Sequence, residues 1–164
     1  MNAHDLVLTP RGVRFMGRLF PCSIGRGGIT SDKREGDGAT PRGHHSIEGL
    51  LYRSDRMRAP TRQARLVLPG DLWSDASEDA AYNHPVRAPY VHSHEALRRA
   101  DPLYDLVLIT GWNYPDATAG RGSAIFIHQW RRPGFPTEGC VAFRRDHLLW
   151  IAQRLRPGAR LIVR

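Results

Sequence analysis

The run Ile125-Phe126-Ile127-His128, followed by Pro136-Thr137-Glu138-Gly139-Cys140-Val141, holds the residue types that acyl transfer needs. A cysteine attacks a carbonyl as its thiolate, and a neighbouring imidazole produces that state by taking the thiol proton. His128 and Cys140 stand 12 positions apart. Pro133-Gly134 and Pro136 between them let the chain fold back and bring the two together. Gly139 lets the backbone before Cys140 turn sharply and a substrate approach closely. Backbone N–H groups around Gly139 and Cys140 are candidates to hold a developing oxyanion. No Asp or Asn in the segment is an evident partner for the imidazole, so a backbone carbonyl is the expected orienting group. The same residues also read as a small buried hydrophobe beside a core histidine. Spacing alone leaves both readings open.

The elements that must position this pair are mostly strands. Ser123–Gln129 is an apolar strand that His128 nearly ends, and alternation puts His128 on the side of Phe126 and Ala124. Tyr104–Thr110 is nearly continuously apolar, as a strand buried on both faces would be. Asp5–Leu8, Val13–Phe20, Ser46–Tyr52, Arg65–Leu68 and Ala159–Val163 are further strands. His147–Leu155 reads as a helix with Asp146 as N-cap and Leu148, Ile151, Ala152 and Leu155 on one face, stopped by Pro157-Gly158. Ser93 is expected to cap a second, short helix over His94–Ala100, with Glu95 in its first turn. Gly25–Gly43 reads as a long loop, and Pro69–Pro89 as irregular chain anchored by Trp73 and Tyr82.

Composition bounds the rest. The 164 residues suit one domain, and no apolar run approaches the ~20 residues of a membrane span. The net charge is +8, and 23 of the 24 basic residues are arginine. That balance permits binding to carboxylates, anionic surfaces or nucleic acid, but the charges are spread without a block, as on a solvated surface. Cys22 and Cys140 are too few for a disulfide framework. Neither a CxxC pair nor a second set of ligands accompanies His44-His45 or His92-Ser93-His94, so no metal is expected. No cofactor is called for. Met1-Asn2-Ala3-His4-Asp5 lacks the pattern of an export signal, giving an expectation of a cytoplasmic protein, with the cell envelope as the alternative.

His128 followed by Thr137-x-Gly139-Cys140-Val141 resembles the active-site signature of the L,D-transpeptidase catalytic domain, the YkuD-like family. Upstream, Gly36-Asp37-Gly38-Ala39-Thr40-Pro41-Arg42-Gly43 is similar to that family's Gly-Asp-Gly-x-Thr-Pro-x-Gly turn, and a strand follows it in both. The two motifs in this order, with the closing helix and strand, extend the resemblance over roughly residues 5 to 164. It implies a single-domain, mainly β sandwich or barrel with one or two short helices, and a thioester-forming enzyme acting on peptidoglycan stem peptides. In the family, the cysteine attacks the bond between an L-centre and a D-residue. An amine then resolves the acyl-enzyme in transpeptidation, or water in carboxypeptidation.

Carried over by residue, the resemblance makes Cys140 the nucleophile and His128 the base and then acid, with Gly139 at the oxyanion site. Thr137 is a structural member of the box and, with Glu138 and Trp130, a neighbour of the substrate. Glu138 stands where many members have His, and Ala142 where they have Arg. Arg144 or Arg145 is then the candidate carboxylate contact. The His-to-Cys separation is shorter than usual in the family, and acceptor choice stays open. Tyr104, Asp105 and Trp112-Asn113-Tyr114 are candidate borders of the cleft, Asp32–Asp37 a solvated loop or lid, and Cys22 a buried, inert residue. A catalytically silent peptidoglycan-binding domain and a basic nucleic-acid-binding module are the rival classes.

Overall fold

A computed structural model describes residues 4–164; Met1–Ala3, the start of the stretch read for a leader, lie outside the described residues. Alternating apolar residues build the first hairpin, β1 (Leu6–Thr9) and β2 (Gly12–Phe15). The expected single strand Val13–Phe20 is instead two, β2 and β3 (Arg18–Phe20). The pair Met16-Gly17 takes positive φ at both positions, the two-residue turn that matches strand twist. Then come β4 (Cys22–Ser23), β5 (Ile29–Thr30), β6 (Thr40–Pro41) and the long β7 (Gly43–Tyr52), followed by β8 (Arg65–Leu66). The Gly25–Gly43 stretch therefore carries a small parallel pair, β5 with β6, rather than being all loop.

The region read as irregular holds β9 (Asp71–Ser74) and β10 (Pro85–Arg87), and Trp73 and Tyr82 are buried as expected. The expected helix His94–Ala100 does not form. His94–Ala96 is β11, with Glu95 opposite Trp73 on β9, and the Ser93 carbonyl accepts the Asp75 N–H at 3.2 Å instead of starting a helix. Pairing with a neighbouring strand outweighs a local capping preference. The chain ends with β12 (Leu106–Thr110), β13 (Phe126–Gln129), β14 (Val141–Phe143), α1 (Arg145–Ala152) and β15 (Arg160–Val163). The helix begins one residue before Asp146. Its N-cap is Arg144, without a side-chain cap bond, while Leu148, Ile151 and Ala152 are buried as their spacing requires.

The main sheet runs β3-β2-β1-β15-β7-β12-β13-β14-β4, with β8 paired to β7. Its two ends meet where β4 touches β2, so the sheet curls into a nearly closed barrel. One cluster inside it joins Leu6, Phe15, Leu108, Ile127, Val141 and Phe143 to the buried face of α1. A second cluster lies on the other face of β12 and β13. There Val107, Ile109 and Phe126 meet Trp73, Tyr104, Leu97 and Cys140 under the β10-β9-β11 sheet. The fold is mainly β, with one helix among the described residues.

Candidate active site

β13 and β14 run parallel with Ile127 opposite Val141 and His128 opposite Ala142. One step back along both strands, Cys140 stands beside Phe126, and the Phe126 N–H donates to the Cys140 Sγ at 3.3 Å. With a strand rise of ~3.3 Å and a strand separation of ~4.8 Å, this register puts the Cα atoms of His128 and Cys140 about 8 Å apart. That is a span two inward side chains can close. Cys140 and His128 are 8% and 5% exposed. Both line one cavity of about 460 Å³.

The His128 Nδ1 lies 2.8 Å from the Gln129 carbonyl oxygen. A carbonyl only accepts, so Nδ1 carries the hydrogen and Nε2 keeps its lone pair. The orienting group is thus a backbone carbonyl, the arrangement that the lack of a nearby Asp or Asn suggested. The ring stands edge-on to Tyr104 at 5.2 Å between centroids. Burial pushes the His128 pKa down to about 4, with Arg99 acting in the same direction and the Gln129 bond against it. Burial pushes the Cys140 thiol up to about 12, Glu95 adds to this, and the Phe126 N–H and Lys33 oppose it. The resting pair is therefore neutral thiol and neutral imidazole. The thiol donates to the Ala124 carbonyl at 3.1 Å.

The two sequence motifs meet at Gly139. The Thr40 hydroxyl donates to the Gly139 carbonyl, 99 positions away, at 2.8 Å and accepts the Gly25 N–H at 2.9 Å. Asp37 ties the upstream turn together by accepting the N–H groups of Arg34 and Ala39, both at 2.8 Å, and pairing with the buried Lys33. Gly139 has φ +133, and a Cβ there would lie 2.8 Å from the Ala39 carbonyl oxygen. Only glycine fits both the conformation and the close approach of the turn. Thr137 closes the box from within. Its hydroxyl donates to the Cys140 carbonyl at 2.6 Å and accepts the Gly139 N–H at 3.2 Å.

Of the other residues singled out in the sequence, Trp130, Glu138, Thr137 and Tyr104 line the cavity. Glu138 sits at an exposed rim, paired with Arg26 at 3.0 Å. Arg144 is not on the cavity wall; its guanidinium is held by Asp146 at 2.6 Å beside the helix start. Arg145 reaches Asp105 instead, at 2.8 Å. Asp105 and Trp112 are likewise off this cavity, and Trp112 borders a separate groove. Ala142 is fully buried. Glu35 and Gly36 bring the Asp32–Asp37 run to the cavity edge. The arginines that do reach the cavity are Arg99 and Arg131, and four carboxylates, Glu35, Asp75, Glu95 and, at the rim, Glu138, share its wall. Glu95, read in the sequence as a first-turn helix residue, comes to the wall because β11 is a strand. No sequence signal marked Arg99, Arg131 or Asp75, which depend on how the β10-β9-β11 sheet and its flanks fold over the cavity.

The model of the L,D-transpeptidase catalytic domain (YkuD) matches residues 3–163. The chain belongs to that family. Neither a curated protein nor a solved structure gives a match. Membership makes the chain a catalytic domain of peptidoglycan transpeptidation in general. Its cavity carries a thiol and an imidazole on one sheet face, backed by the Gly-Asp-Gly-x-Thr-Pro turn.

Proposed function

We propose that the protein forms a Cys140 thioester on peptidoglycan tetrapeptide stems and releases or exchanges their terminal D-residue. The observation that carries this reading is the His128 imidazole, locked by the Gln129 carbonyl with Nε2 free for a proton, in one cavity with the Cys140 thiol. Because both groups rest neutral, Cys140 and His128 do not rest as a thiolate–imidazolium pair. The Cys140 sulfur attacks the carbonyl carbon as its proton passes to Nε2. The C–S bond forms, and the oxygen takes the electron pair facing the Cys140 amide, since the Gly139 N–H is already held by the Thr137 hydroxyl. Collapse breaks the C–N bond, and the imidazolium returns its proton to the departing amine. An incoming amine or water repeats the sequence in reverse, with His128 taking its proton and returning one to the sulfur.

Substrate contact follows the cavity wall. Arg131 takes the place of Arg144 as the guanidinium that meets a stem carboxylate, while Arg99, held by Asp101 at 2.7 Å, contributes positive charge to the same wall. Trp130 and Tyr104 supply apolar walls, and Glu138 the rim. The carboxylates of Glu35, Asp75, Glu95 and Glu138 favour binding of an acceptor as its ammonium, which releases one proton to solvent before the free amine attacks and gives a second to His128.

The test is incubation with a free tetrapeptide under reducing conditions, with and without an added D-amino acid, followed by mass spectrometry. Loss or exchange of the last residue, absent in Cys140→Ala, is the expected result. A carbapenem adduct found in the wild type and in Cys22→Ala, but not in Cys140→Ala, identifies the nucleophile independently. Turnover that survives Cys140→Ala overturns the reading. Peptide that binds equally to wild type and Cys140→Ala, with no turnover by either, would make this a silent binding domain instead.

A further inference from the structure

The Cys140 sulfur makes two hydrogen bonds, and both lead back to one buried side chain outside the two family motifs. The thiol donates to the Ala124 carbonyl at 3.1 Å, and the Phe126 N–H donates to the sulfur at 3.3 Å. Ala124 sits at φ +49, a left-handed conformation that residues other than Gly and Asn avoid. Asn83 holds it there, its Oδ1 accepting the Ala124 N–H at 3.0 Å. The same oxygen accepts the Trp73 indole N–H at 2.9 Å. Trp73 in turn stands edge-on to Phe126 at 5.1 Å, so Asn83 also braces the residue whose N–H meets the sulfur. The Asn83 Nδ2 donates to the carbonyls of Trp112 and Asn113. The amide thus uses all four of its hydrogen-bonding positions, in a residue only 1% exposed.

We propose that Asn83 is a positioning residue for the nucleophile: by clamping Ala124 it fixes the carbonyl that holds the Cys140 thiol in its resting orientation. The proposal rests on the reading of Cys140 as the nucleophile. While the S–H points at Ala124, its proton is withheld from His128, and attack requires the thiol to swing to Nε2. A carbonyl oxygen against the sulfur favours the thiol, whereas the Phe126 N–H favours the thiolate. Releasing Ala124 removes the first influence and leaves the second, because Phe126 is also held by its pairing with Ile109 on β12. The titratable groups that bear on the sulfur, Tyr104, Glu95 and Lys33, are not hydrogen-bonded to Asn83, and neither is His128, whose ring bonds to the Gln129 carbonyl.

The experiment measures the pH dependence of Cys140 alkylation by iodoacetamide in a Cys22→Ala background, alongside tetrapeptide turnover. Asn83→Ala should move the alkylation profile down by about one pH unit. It should also cut kcat about tenfold or more, with KM changed less than about threefold, because the sulfur loses its placement rather than the substrate its wall. Ala124→Gly added to Asn83→Ala should restore most of the profile, since glycine holds φ +49 without a clamp. A side chain that merely glues segments together would not be rescued at position 124. A profile that superimposes on the parent, or no recovery in the double variant, overturns the proposal. If Asn83→Ala does not fold, Asn83→Ser replaces it. The shorter hydroxyl does not span to the Ala124 N–H, so the profile must fall as for Asn83→Ala, and a profile that superimposes on the parent overturns the proposal. Alkylation needs no substrate. A moved profile without peptide turnover would sink the proposed function and leave Asn83 standing; turnover with an unmoved profile would do the reverse.

Discussion

Strands β12, β13 and β14 present two faces with opposite uses. On one, Leu106, Leu108, Ile127, Val141 and Phe143 pack against α1 in the larger cluster. On the other, Val107, Ile109 and Phe126 pack beside Cys140 and Tyr104, with His128 on the same side of β13. Burial does not separate them, for both faces are nearly closed to water. The two cysteines make the point sharply. Cys22 packs against the first cluster, and burial pushes its thiol up to about 11. Cys140 in the second is pushed up to about 12. Neither is activated by its resting environment alone. What Cys140 has and Cys22 lacks is a place on a cavity wall shared with an oriented imidazole.

The largest effect expected from this contrast is at the nucleophile. Cys140→Ala should lower peptide turnover by about 10⁴-fold or more, the scale on which loss of a covalent nucleophile acts. Its melting midpoint should move little, since Ala fills most of the same space. Leu148→Ala on the core face should do the opposite. Deleting that fully buried side chain should cost about 2–5 kcal/mol of stability in denaturant titration, while kcat of the folded fraction stays within about twofold, because no atom of Leu148 reaches the cavity. If Leu148→Ala lost its chemistry while keeping its stability, the division of labour between the two faces would be wrong.

An intermediate effect follows from the burial of His128. Its pKa of about 4 lies below its ordinary value of 6.5. As pH falls through 6.5 the unfolded chain takes up a proton that the native site refuses, and native stability drops until pH reaches about 4. Above 6.5 both states hold neutral imidazole and the effect vanishes. The slope is at most about 1.4 kcal/mol per pH unit, which accumulates to roughly 3 kcal/mol. His128→Asn should therefore show a flatter loss of stability between pH 6.5 and 4 than the wild type, in urea titrations at matched ionic strength. Parallel slopes would mean that the imidazole is hydrated and belongs to neither face.

Much of this contrast was legible in the sequence, and its limits are physical. Alternation in β13 put His128 beside Phe126 before any coordinates, because a strand has only two sides. Gly139 and the Thr137 box were legible as a turn, and the upstream Gly-Asp-Gly turn as part of the same family signature. That Thr40 bonds to Gly139 across 99 positions was not, since tertiary hydrogen bonds leave no local periodicity. The strand β11 was read as a helix because Ser93 and Glu95 suit a helix start, and only β9 lying alongside decides otherwise. With that element misassigned, the acidic wall and Arg99 could not be placed. Arg144 and Arg145 are candidates because Ala142 stands where the family has Arg, but the start of α1 turns both away from the cavity, Arg144 at the N-cap to Asp146 and Arg145 to Asp105.

The smallest effect bears most directly on the two cysteines. Cys22 lies at the end of the sheet path, where β4 pairs with β14 through Phe143 and closes on β2. Cys22→Ala removes one partly buried sulfur from the edge of the larger cluster, which should cost on the order of 1 kcal/mol, at the low end for core truncations. Turnover and its pH profile should stay within about twofold, because an edge substitution without a shared partner at the site leaves distant energetics nearly additive. Alkylation of the native wild type should modify Cys140 ahead of Cys22, although Cys22 is the less buried of the two, since Cys140 opens onto the cavity it shares with His128. Preferential labelling of Cys22 would mean that the barrel seam between β4 and β2 opens more readily than the site does. The face that looks like inert core would then be the more accessible one.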